Sequence, residues 1–241
     1  MNVDDLISDS RGFLTWLVDW HYNLPEMEME ELLHDAGGDP DTVALFAVDL
    51  TRGFAEEGPL SSERVASIVP VAVRLFKRAA ALGMRHFILP QDAHSPDALE
   101  FSSFPAHCIG GTDRAQTVSE LRALPFSQEL TIVEKDSISS TLNTDLGPWL
   151  DAHPEVKTFV VIGDCTDFCI YQLAMHLRLR ANAWHLQGVR VVVPSDGVDT
   201  FHIPVDVAQE IGAMPHHGDL LHLVFLYSMA QNGVEIVKAI R

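Results

Sequence analysis

The sequence predicts an α/β fold of three layers, with a mainly parallel central sheet flanked by helices. Two observations predict it. From residue 41 onward, short apolar runs alternate with stretches that carry apolar residues at helical spacing. Several of those runs end on a residue able to do chemistry, as strands of an open parallel sheet do at its C-terminal edge.

The elements follow in order. TVALFAVDL is a continuous apolar run ending at Asp49, which suits a strand buried on both faces. Residues 62–82 open with Ser and Glu and place Val65, Ile68, Ala72, Leu75 and Ala79 on one helical face, with Pro70 set to kink or divide the helix. RHFILP and LTIVEK read as the second and third strands, and NTDLGPWLDA as a helix. TFVVIG is a fourth strand and 166–182 a helix, with Thr166 as its cap. VRVVVP is a fifth strand and 204–214 a helix. DLLHLVFLYSMAQNG is a helix closed by Gly233, and VEIVKAI a last strand.

The chain has 241 residues, enough for one domain of this class and an extension. Residues 1–40 form that extension, expected to be helical and to end in a linker at Gly37-Gly38, and residues 41–241 form the domain. The extension carries no cluster of reactive groups. His21 and His34 read as surface or packing residues. The segment is expected to be dispensable for chemistry, its apolar stripe packing on the domain or on another subunit of a homo-oligomer. Asp and Glu outnumber Lys and Arg by 34 to 16, which argues against nucleic acid as a partner. No apolar run approaches the roughly 18 residues of a membrane span, and the first residues lack the basic region of a secretory signal. Three cysteines do not suggest a disulfide framework, so the expected compartment is the reducing cytoplasm.

Two segments carry the chemistry. QDAHSPDALEFSSFPAHCIGGT holds Asp92 and His94 just past a strand, where an extended D-x-H pair can converge on one ion. Glu100 and His107 can complete the ligands, and such a set suits zinc, manganese or iron alike. D-x-H alone is weak, since His94 could simply bond a loop. GDCTDFCI places Gly163 at a sharp turn and Cys169 in the opening of a helix, where the positive end of the helix dipole lowers a thiol pKa. Lys135 would lower it further. Most lone buried cysteines are packing residues, but the strand-turn-helix context and the partners favour a nucleophile. Spacing alone allows either Cys165 or Cys169, and the helical position favours Cys169. Cys108 reads as packing.

These segments resemble the isochorismatase-like cysteine hydrolases, and within them the nicotinamidases. The resemblance spans roughly residues 43–238 and rests on AVDLTRGF, DAHSPDALEFSSFPAHCIGGT, EKD and GDCTDFCI. It implies a catalytic triad of Asp49, Lys135 and Cys169. It implies one divalent ion on Asp92, His94 and His107, with Glu100 as a fourth ligand because Ala98 stands where many relatives have His. It also implies Phe54 and Phe104 around an aromatic ring, an oxyanion hole from the amides of Cys165 and Cys169, and a cis peptide at Asp164-Cys165. The implied activity is conversion of nicotinamide to nicotinate and ammonia through a cysteine thioester, a step of NAD salvage. In it Asp49 takes the thiol proton and later protonates the departing ammonia. Departures bear on the substrate: DLTRGF after the first strand, DSISSTLNTDL after Lys135, Phe104 in place of Trp, and Asp164 with Cys165 in the turn. They leave open another amide or ureido substrate in the same family. A non-catalytic metal- or thiol-binding protein on the same fold is the reading from a different class.

Overall fold

A computed structural model describes the whole chain, Met1–Arg241. The N-terminal segment supplies α1 (Val3–Tyr22), β1 (Glu26–Met27) and α2 (Met29–Asp35). The domain then runs β2 (Val43–Val48), α3 (Arg52–Ala55), α4 (Glu63–Ala66), α5 (Val69–Ala81) and β3 (His86–Asp92). After a long loop come α6 (Ser119–Arg122), β4 (Thr131–Lys135), α7 (Leu146–Ala152), β5 (Thr158–Asp164) and α8 (Cys169–Ala183). The last part holds β6 (Arg190–Pro194), β7 (Val198–Asp199), α9 (Val205–Ile211), α10 (Gly218–Gln231), β8 (Glu235–Val237) and β9 (Ala239–Ile240).

The main sheet has the order β4-β3-β2-β5-β6-β8 with every pairing parallel, and β7 adds to the end of β5. Strand β2 shows why the central runs are apolar without alternation. Its Ala44, Phe46 and Val48 join α7, α8 and α10 in one core, while Val43, Leu45 and Ala47 join α2, α5 and α6 in the other. Those two cores and the sheet between them are the three layers the sequence predicts. None of the helices is long and apolar enough to cross a membrane.

Residues 62–82 are divided into two helices, one of the two outcomes expected of Pro70, which sits in the first turn of α5, where its missing N–H costs nothing. Three local readings change. VEIVKAI divides between two sheets, because the Lys238 amide leaves the ladder to donate to the Pro25 carbonyl at 2.7 Å. Helix α8 begins only at Cys169, after Phe168 and without a side-chain cap, so Thr166 is not its cap. The N-terminal segment is not purely helical: β1 pairs with β9, and Met29 donates its amide to the Arg241 carbonyl at 2.9 Å. Leu17, Met29 and Leu32 are completely buried, and Met29 and Leu32 belong to the second core. The segment therefore packs into the domain, while Ile7, Leu14 and Val18 of α1 stay exposed.

Gly163 brings the central strands together beside the site. It has φ 120, and a Cβ built on it would lie 2.0 Å from the Val48 carbonyl oxygen, a backbone atom that cannot move aside. Gly163→Ala is expected to lower stability by about 3 kcal/mol through overpacking and a disfavoured φ. Urea unfolding measures this, and an unchanged midpoint would show that β2 and β5 can separate without cost.

Candidate active site

Each reactive side chain is delivered by the end of a different element. Asp49 follows β2 with φ 54, in the left-handed region that Asp tolerates better than most residues. Asp92 and Lys135 end β3 and β4 and are register partners. Cys169 opens α8. All four are buried. Lys135 Nζ lies 2.8 Å from Asp49 Oδ2, pairs with Asp92 Oδ1, and donates to Cys169 Sγ at 3.5 Å and to the Ser137 carbonyl at 3.2 Å. Asp49 is held from its other oxygen, which accepts the Asp92 amide at 2.9 Å. The three residues expected as a triad are thus together, with Asp92 as a fourth member.

Asp92 faces two ways. Its Oδ2 lies 3.3 Å from His94 Nε2 and 3.6 Å from His107 Nε2, and those two nitrogens are 3.2 Å apart. Each imidazole is held from behind: His94 Nδ1 lies 2.8 Å from Asp136 Oδ1, and His107 Nδ1 lies 2.9 Å from the Pro105 carbonyl. Since a carboxylate and a carbonyl accept only, both Nδ1 atoms carry the proton and both Nε2 atoms offer lone pairs. Two lone pairs and a carboxylate oxygen pointing at one another repel unless a cation sits between them, so the donor set fits a metal ion. Burial works against the charged form of His94, yet Asp92, Asp136 and Glu100 outweigh it and lift its pKa to about 9, so a proton and a metal ion compete for the Nε2 lone pair. Glu100 stands at the margin. Its Oε1 is 4.0 Å from His107 Nε2, and it is not among the three residues whose ligand atoms converge. Asp136 was not foreseen as the support of His94.

Charge and burial set the protonation states. Burial raises Asp49 to about 6, reinforced by Asp92 and opposed by Lys135 and Cys169. Asp92 is held well below the carboxylate range, because Lys135, His107 and His94 overcome its burial. Lys135 is raised despite burial, by Asp49 and Asp92. The expected low thiol pKa is not what the fold produces. Burial pushes the Cys169 thiol up; Lys135 opposes this, and Asp49 and Asp92 reinforce it. Cys169 therefore rests as a neutral thiol, beside a carboxylate able to take its proton. Cys108 has the packing role expected of it. It is buried against Thr51 Oγ1 at 3.4 Å, and burial lifts its pKa to about 12.

Asp49, Asp92 and Cys169 open into a small pocket of about 50 Å³. Phe54 and Phe104 both line it; Phe54 lies 5.4 Å from the His107 ring and Phe104 6.1 Å from Phe168. Phe168, Phe201, Leu60 and Ile138 complete the apolar wall, and sequence reasoning missed them. Phe201 is fixed by stacking on His216 at 3.8 Å, and His216 in turn bonds Asp167 at 2.8 Å. At the turn, the Asp164-Cys165 peptide is cis, and the Cys165 amide donates to no other group of the fold. The Cys169 amide opens a helix, where the first N–H groups have no intrahelical partner.

The chain is similar to known proteins in sequence and in fold. Residues 43–218 match the isochorismatase domain. The chain is 30% identical to nicotinamidase 1 of Arabidopsis thaliana over 216 residues, covering 83% of this chain and 86% of that protein. Among solved structures, a nicotinamidase from Bacillus subtilis superposes with a TM-score of 0.64 at 22% identity, covering 81% of this chain and 99% of the other. A pyrazinamidase of Pyrococcus horikoshii in complex with zinc gives 0.62 at 22% identity, over 82% and 99%. An N-carbamoylsarcosine amidase from Thermoplasma acidophilum gives 0.61 at 21% identity, over 82% and 96%. The chain belongs to the isochorismatase family of hydrolases.

Proposed function

We propose that this enzyme hydrolyses nicotinamide to nicotinate and ammonia through a thioester on Cys169, with one divalent ion bound beside the thiol. The observation that carries the reading is the double use of Asp92, which joins the Lys135–Asp49–Cys169 group to the His94–His107 pair at the wall of one largely apolar pocket. The resemblance to nicotinamidase 1 supports the choice of substrate.

The steps follow from the protonation states. Asp49, as carboxylate, removes the thiol proton as Sγ attacks the amide carbon, and Lys135 stabilises the negative charge on sulfur. The amides of Cys165 and Cys169 receive the oxyanion, each donor contributing about 3–4 kcal/mol of transition-state stabilisation. The proton on Asp49 passes to the departing ammonia, and Asp49 then activates the water that cleaves the thioester. Phe54 and Phe104 flank the ring and the aromatic wall excludes bulk water. Asp92, His94 and His107 would hold the ion, with Glu100 as a further ligand or neighbour. A divalent ion there supplies a Lewis-acidic anchor for a ring nitrogen.

Ammonia release from nicotinamide, pyrazinamide, benzamide and N-carbamoyl compounds tests the reading. Nicotinamide and pyrazinamide should be turned over far faster than benzamide, which lacks the ring nitrogen. Preference for a carbamoyl compound would move the substrate to another branch of the family. Because Asp49 acts as a base with a pKa near 6, kcat/KM should fall about tenfold per unit as pH drops below that value. A flat profile between pH 5 and 7 would remove Asp49 from the proton transfer.

A further inference from the structure

Thr166 lies between the two cysteines and is completely buried. Its amide donates to the Asp199 carbonyl at 3.0 Å. Its hydroxyl has one partner, His222 Nδ1 of α10, at 2.9 Å. The other side of that imidazole, Nε2, lies 3.4 Å from Ser195 Oγ, just beyond β6. Ser195 Oγ is in turn 2.6 Å from His21 Nε2, in the last turn of α1. A continuous chain of side chains therefore runs from the N-terminal helix to the turn that carries the nucleophile.

The direction of its protons can be worked out. The Thr166 hydroxyl has no acceptor except His222, and a buried hydroxyl hydrogen without one is unfavourable. Thr166 therefore donates to His222 Nδ1. Nε2 of the neutral ring then carries the hydrogen and donates to Ser195 Oγ. The Ser195 hydroxyl donates to His21 Nε2, which leaves the His21 proton on Nδ1. The opposite direction leaves the Thr166 hydrogen unused. Burial keeps His222 neutral, with its pKa down at about 4, as the assignment needs.

We propose that His222 is a positioning residue for the nucleophile turn, and that the His21–Ser195–His222–Thr166 chain makes helix α1 part of the scaffold that holds the Cys165 and Cys169 amides in place. The link to catalysis rests on the cysteine-hydrolase reading above; the chain and its proton direction do not. It revises the expectation that the first forty residues are irrelevant to chemistry. A small displacement of a reacting geometry can cost about 100-fold in rate.

The test has two arms on the full-length protein. Nitrogen-15 NMR of the imidazoles, which requires no turnover, should show His222 protonated at Nε2 and His21 at Nδ1. The opposite tautomer at His222 overturns the assigned chain. In kinetics, Thr166→Val and His222→Ala should each lower kcat about 10- to 100-fold with little change in KM. The double variant should be no worse than either single one. His222→Asn, whose amide oxygen can stand where Nδ1 stood, should recover kcat to within about threefold of wild type, whereas a role in stability alone would leave kcat intact and lower only the melting temperature. His21→Ala should lower kcat by about threefold to tenfold. Wild-type kcat in a folded His222→Ala or Thr166→Val protein overturns the proposal. Should His222→Ala not fold, Thr166→Val decides. If the wild type turns over no amide at all, the functional reading fails and the imidazole nitrogens alone judge the chain.

Discussion

Cys169→Ala is expected to abolish amide hydrolysis, by at least about 10⁴-fold, in a protein that still folds. Of the three thiols, Cys108 is packed against Thr51, and of the two that line the pocket, Cys165 and Cys169, the Lys135 ammonium contacts the Cys169 sulfur. The stability cost should be about 1 kcal/mol, since only one sulfur atom leaves a site at the pocket wall. Cys165→Ala should retain most activity, because its proposed contribution is a backbone amide. Ammonia release from both variants checks the pair, with mass spectrometry of a trapped acyl-enzyme as the direct readout. A dead Cys165→Ala beside an active Cys169→Ala would reverse the assignment. So would an acyl group found on Cys165.

The second large effect concerns the ion. Purified protein should carry close to one equivalent of zinc, manganese or iron, and extensive treatment with a chelator should remove both the metal and the activity on a pyridine amide. His94→Ala should do the same, as it removes one of the three converging donors. The Asp136 carboxylate, which fixes the His94 tautomer, gives a finer test: Asp136→Asn should weaken metal affinity about 10- to 100-fold without touching a ligand. Glu100→Ala should weaken retention less, in keeping with its marginal place. Throughout this series Cys169 should remain open to alkylation, separating loss of metal from loss of the thiol. Metal-free protein that gains no ion on incubation yet hydrolyses nicotinamide at full rate would remove the metal from the function.

What could be read in advance follows from how local each signal was. Asp49, Asp92, Lys135 and Cys169 were visible because each terminates or begins a strongly patterned element, and a parallel sheet sends all such ends to one edge. His107 was visible through its distance from D-x-H along one loop. Asp136 was within reach too. Asp92 and Lys135 are register neighbours, and the Ala93 amide donates to the Lys135 carbonyl, so the residue after Lys135 must lie beside His94. Phe201 and His216 could not have been found this way. They arrive from beyond β7 and from the α9–α10 connection, and no short-range pattern says that either faces the pocket. The raised thiol pKa is out of reach for a related reason: helix start and lysine are local features, whereas desolvation and two nearby carboxylates are properties of the assembled site.

The pairing of β1 with β9 also constrains the order of events during synthesis. The Glu26–Arg241 ion pair joins residues 215 positions apart. Strand β1 is synthesised long before its partner and cannot pair until Ala239 and Ile240 have followed. Meanwhile the aromatic face of α1, Phe13, Trp16 and Trp20, stays exposed until Tyr227 of α10 has followed to cover it. Contacts so distant in sequence form late and slowly. The nascent chain should therefore show a long-lived species with a formed central sheet and a free amphipathic arm. Such an arm invites capture by a chaperone, or exchange between two unfinished molecules, before it finds its own C-terminal strand.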